Sequence, residues 1–133
     1  MGLWIFFAAI YVIAAAVSLW SRGQVARFLE GTPALRGTTD LERFKSLVRV
    51  EMHLALAMIV LLVTGLATGL VLIRRHGIAA LLPVLLVNAV VLGLGLFHKG
   101  VEQKARNLRT AEGLDEEYRR VCHTWTKKAL PDF

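Results

Sequence analysis

Three long runs without a charged side chain divide this chain, and the stretches between them carry apolar residues at helical spacing. The runs are Leu3 to Trp20, Leu54 to Ile73 and Ile78 to Phe97. Each is near the roughly 20 residues that a helix needs to cross about 30 Å of hydrocarbon. They predict transmembrane helices at 3–20, 54–73 and 78–97. The first run lacks the basic n-region of a secretory signal, since Met1-Gly2-Leu3-Trp4 holds no Lys or Arg, and it reads as a membrane helix despite the Ala14-Ala15-Ala16 stretch.

The helical pattern continues past the apolar runs. Val25, Phe28 and Leu29 extend the first helix to Gly31 and Pro33, which stop it. Residues 31–38 form a connector. Thr39-Asp40-Leu41-Glu42 fits a capping box, so the second helix is expected over about 40–73, with Leu41, Phe44, Leu47 and Val48 on one face. Arg74-Arg75-His76-Gly77 is a tight turn that makes the second and third helices antiparallel neighbours. Pro83 sits about one turn into the third helix, where its missing N–H predicts a slight bend. That helix is expected to reach Glu112 and stop at Gly113. A fourth helix follows over about 115–129, with Asp115, Glu116 and Glu117 at its start and Lys127 and Lys128 at its end, as the helix dipole favours. Its stripe is Leu114, Tyr118, Val121, Cys122, Trp125 and Ala129. Such a helix could lie in the headgroup region with Trp125 as anchor, or fold onto the extensions of the other three. The second reading is preferred, because those extensions have apolar faces to bury. The expectation is a single all-α membrane domain over 1–133, four-helix-bundle-like at one end.

Composition agrees: 56% of the 133 residues are hydrophobic, above the soluble norm of about 45–50%. The net charge of +6 would suggest a nucleic-acid partner if it were spread over a surface. It is not. Six Lys or Arg lie between the first two runs, two between the second and third, and eight after the third. The positive-inside rule then places 21–49 and 98–133 in the cytoplasm and the N-terminus outside, in a cell inner (plasma) membrane. Lipid bilayer is the expected partner, with some attraction to anionic headgroups. A second copy or other membrane subunits are expected too, because the chain is short. The single cysteine, Cys122, excludes an internal disulfide and reads as an apolar helix contact.

Candidate chemistry is sparse. No Gly-rich phosphate loop, CxxC, HExxH or GxSxG occurs. Thr64 and Asn88 fall near mid-depth on adjacent helices, so a Thr64–Asn88 hydrogen bond is expected, with a permeation path as the functional alternative. Gly65 and Gly69 form a GxxxG motif that allows close backbone approach, within the chain or in a dimer, and Gly93 and Gly95 add a second small-residue patch. His53 and His98 both lie about 20 residues from the outer turn, at one level near the inner boundary. Two imidazoles so placed could ligate a b-type haem axially, with Arg49 and Lys99 near for propionates. A metal site from His53, His98 and Glu102, with Glu51 close by, is a second possibility. Plain interfacial histidines are the simplest one. The sequence therefore points to a non-catalytic structural or accessory membrane subunit, with a bis-His haem electron-transfer protein as the alternative.

Overall fold

The computed structural model describes residues 1–133. Four helices, α1 (Gly2–Gly31), α2 (Thr38–His76), α3 (Ile78–Arg106) and α4 (Asp115–Lys127), carry the fold. The two short segments β1 (Ala34–Leu35) and β2 (Arg109–Thr110) pair in parallel. The three long helices are apolar enough to span a membrane. At 1.5 Å per residue the 39-residue α2 is about 58 Å long, well beyond the hydrocarbon thickness. The chain is thus a multi-pass helical membrane protein, with helices that outrun the bilayer at the end where most Lys and Arg collect.

Two hydrophobic clusters hold it together. One, among the spanning segments, contains Phe7, Ile10, Tyr11, Leu72, Ala80, Val84 and Val91. The other, at the basic end, contains Val25, Leu35, Leu41, Phe44, Leu47, Val48, Met52, Ala105, Tyr118 and Val121. Helix α4 packs against the second cluster, so the C-terminal helix completes a bundle, and Phe44 is sandwiched by Phe28, Tyr118 and Trp125 at ring separations of 5.8, 5.0 and 6.0 Å.

The GxxxG motif is used inside the chain. A Cβ on Gly65 would lie 2.7 Å from the Tyr11 ring, and one on Gly69 would lie 3.0 Å from Val84 and 3.4 Å from Phe7. These glycines therefore seat α2 against both α1 and α3. Gly93 and Gly95 differ: an added Cβ there meets no atom within 4 Å. Gly77, at φ 67°, makes the α2–α3 turn in a conformation that L side chains rarely adopt.

Several expectations need correction. Helix α3 ends at Arg106 rather than near Glu112. The Tyr118 hydroxyl accepts from the Leu108 N–H at 3.1 Å and donates to the Ala105 carbonyl at 2.6 Å, which satisfies the helix end. The freed strand β2 then pairs with β1 and helps bury Leu35 completely. The capping box does not form. Helix α2 starts at Thr38 with Gly37 as cap, so Thr39 falls inside the first turn. Asp40 instead accepts from the Arg36 N–H at 3.1 Å, and Glu42 reaches Lys45 at 3.2 Å. The Thr64–Asn88 bond is also replaced. Thr64 donates back to the Val60 carbonyl at 2.8 Å, while Asn88 Oδ1 accepts from the Tyr11 hydroxyl at 2.8 Å. Asn88 is thus partnered across to α1 rather than to α2. At Pro83 no correction is needed, since helix α3 continues through it without a break.

Candidate functional site at the inner ends of the spans

Along α1, Phe7, Ala14 and Ser21 are seven residues apart, and all are buried. Along α3, Val84, Val91 and Ala105 are buried at the same interval, and His98 occupies the remaining step. Along α2, the buried face runs Leu41, Phe44, Leu47, Val48, Glu51 and Met52. Ser21, His98 and Glu51 thus each occupy a core position of their helix, just beyond the apolar run. Three helices deliver one polar side chain apiece to the same level.

There they meet. Ser21 Oγ donates to Glu51 Oε2. His98 Nε2 lies 3.3 Å from the same oxygen and 3.4 Å from Ser21 Oγ. Glu51 is only 3% exposed. Two buried atoms of the cluster have no partner, Glu51 Oε1 and His98 Nδ1. Beside it, the Arg22 guanidinium lies over the Phe97 ring at 5.7 Å from the centroid.

Serine, histidine and glutamate invite comparison with a nucleophilic triad. In that chemistry the acid holds Nδ1–H, so that Nε2 is free to accept the serine proton. Here Glu51 faces Nε2, so that nitrogen carries hydrogen and donates, and Nδ1 is left without an orienting partner. Ser21 itself is spent on the carboxylate. The acid is therefore not placed on the imidazole as it is in that triad.

The cluster lines a groove of about 410 Å³. Its apolar wall includes Val17, Leu54, Met58 and Ile59, and Gly95 leaves one side open. Glu102, Trp125 and Lys128 stand toward its basic end. No residue of the spanning-segment cluster lines it, and of the basic-end cluster only Met52 does. The groove thus occupies the level where the two cores are not continuous.

His98 is the one histidine that the structure draws into this site. His53 is exposed, and its Nδ1 lies 2.6 Å from the Arg49 carbonyl. His53 is not among the residues that line the groove with His98. Glu102 lines the groove with His98 and Glu51, yet no three His, Cys, Asp or Glu side chains form a metal-ligating group. His76 packs on Trp4 at 5.9 Å, and His123 is exposed. Cys122 is half-buried, and burial pushes its thiol up, which opposes the thiolate that reactivity needs. The sequence pattern placed Glu51 beside His53 rather than with His98, and left out Ser21, because both fall outside the apolar runs and look solvated. The seven-residue spacing along α1, and the 41–44–48–51 series along α2, were the signals that could have found them.

No protein-family model, no curated protein and no solved structure matches this chain.

Proposed function

We propose that this chain is a non-catalytic accessory subunit of a membrane assembly, with its four-helix end in the cytoplasm. The observation that carries the non-catalytic reading is the wiring of Ser21, Glu51 and His98. This buried polar cluster couples its acid to the wrong imidazole nitrogen for nucleophile activation. The charge distribution supports the orientation, since the loops assigned to the cytoplasm hold most of the Lys and Arg.

The outer face of α3 supports assembly. Only Ala80, Val84, Val91 and Ala105 of this 29-residue helix are buried. Ala89 and Gly93, one turn apart, face away from the bundle, and Gly93 and Gly100 have open space where a side chain would stand. Small residues at that spacing let a second helix approach closely in lipid, where van der Waals packing drives association. The inward GxxxG pair, by contrast, is already occupied.

The test is purification in mild detergent followed by mass measurement of the intact protein–detergent complex. The reading expects a particle heavier than one 14.7 kDa chain, which Gly93→Leu reduces to a single chain. A single chain before any substitution would overturn it.

A further inference from the structure

We infer that the groove beside Ser21, Glu51 and His98 is a binding site for a lipid-soluble molecule with a neutral hydroxyl at its head and an apolar tail. The argument begins with two orphaned atoms. Glu51 is almost wholly buried, and its Oε1 has no donor. His98 Nδ1 is equally unpartnered. Buried polar groups are nearly always satisfied, and an unpaired carboxylate oxygen is among the costliest to leave. Both residues line the same groove, so the head of one occupant would lie beside both.

The chemistry of the head follows from the donor set. Glu51 Oε1 can only accept, so the head must offer a hydrogen. His98 uses Nε2 toward Glu51, which leaves Nδ1 as an acceptor in the neutral ring and a donor in the charged one. With His98 charged, a single hydroxyl satisfies both, donating its hydrogen to Glu51 Oε1 and accepting from His98 Nδ1–H. An anionic head is repelled by Glu51. A quaternary ammonium offers no hydrogen to donate.

The tail follows from the walls. Val17, Leu54, Met58 and Ile59 give an apolar lining at the depth where the spans end, and Ile59 is 57% exposed toward the surrounding lipid. A molecule can therefore enter sideways from the bilayer with its head at the polar cluster. The volume of about 410 Å³ is within the usual range of small-molecule sites, roughly 300–1,000 Å³. Hydroxyl heads of this kind come from two sources, aliphatic lipid alcohols and phenolic lipids, and two probes separate them.

The experiment uses the full chain in detergent, with dioctanoylglycerol as the aliphatic alcohol and a hydroquinone bearing a decyl tail as the phenol. Each is paired with its O-methyl ether, which keeps the shape and loses the donated hydrogen. Native mass spectrometry reads retention of one molecule per chain. At least one alcohol should be retained and its ether lost, and which alcohol is retained names the source. Glu51→Gln keeps an oxygen but removes the charge, and should weaken retention about tenfold or more. Met58→Trp fills the groove without touching the polar cluster, and should abolish retention even if Glu51→Gln fails to fold. Val60→Trp, on the exposed face of α2, should leave it intact. Equal retention of alcohol and ether, retention by neither alcohol, or binding unchanged in Met58→Trp would each overturn the assignment.

Discussion

Glu51 and His53 stand two residues apart on α2, and at about 100° per residue they point to nearly opposite sides of the helix. Depth along a membrane helix can be read by counting from a turn, and the count placed His53, His98 and Glu51 near one level. Azimuth needs the period of the buried face. That period passes through Leu41, Phe44, Val48 and Glu51 and leaves His53 outside. With His53 turned away, the purified protein is expected to show no sharp b-type bands in its reduced absorption spectrum. Bands that vanish in both His53→Ala and His98→Ala would restore the haem reading, since low-spin bis-His haem needs both ligands. The same counting explains the midplane. Thr64 and Asn88 were matched in depth, but Asn88 bonds Tyr11 of α1. Gly65 offers a cleaner test at this scale. A methyl there would meet the Tyr11 ring at 2.7 Å, so Gly65→Ala should cost about 1–3 kcal/mol. Thermal unfolding in detergent should show the loss, while the assembly mass stays as in the unsubstituted protein. A drop in mass without loss of stability would mean that Gly65 faces another chain.

At the scale of elements, the apolar runs and stop signals in the sequence specified α1, α2 and α3, because a spanning helix must satisfy its own backbone over the whole hydrocarbon thickness. The end of α3 was less legible. Tyr118, ten residues beyond Leu108, caps it through tertiary contact, and a two-residue strand pair has no sequence signature of its own. The docking of α4 combines apolar burial with a charge link that local patterning does not reveal. Lys45, largely buried on α2, pairs with Glu117 of α4. The Lys45 ammonium holds the Glu117 carboxyl below its usual range, and Glu117 in turn raises Lys45. A carboxyl with a lowered pKa in the docked state stabilises docking above its ordinary value, and that contribution fades as pH falls through the lowered one. The Lys45 contribution runs the other way and is lost only above the ordinary lysine range. Helix α4 should therefore loosen on acidification below about pH 4.5. Trp125 packs edge-on to Phe44 at 6.0 Å, so its emission in a Trp4→Phe, Trp20→Phe background reports docking. A red shift on acidification is expected, reduced in Glu117→Gln. An identical shift in Glu117→Gln would assign the acid response to another group.

For the whole molecule, the distribution of Lys and Arg predicts an orientation that chemical labelling can check. Cys122 is half-buried with a raised thiol, so it would label poorly from either side. An exposed cysteine is needed instead, and Lys127→Cys in a Cys122→Ser background provides it. An impermeant thiol reagent should miss it in intact cells and reach it after lysis. Strong labelling before lysis would reverse the topology.

The molecule has one core within the spans and another at the basic end, with a polar-floored groove between. It also leaves almost the whole outer face of α3 to its surroundings, with Leu92, Leu96 and Phe97 each more than 60% exposed. Lipid can cover such a face, and so can another helix. The most direct measurement is photo-crosslinking in native membranes, with a benzophenone amino acid at Leu96 on α3 and, as the comparison, at Val12 on the exposed side of α1. The assembly reading predicts that light converts the Leu96 variant to a discrete product heavier than the single chain. It also predicts that Gly93→Leu removes this product and that the Val12 variant stays monomeric. A Leu96 variant that remains a single chain, or one that crosslinks no more specifically than Val12, would contradict it.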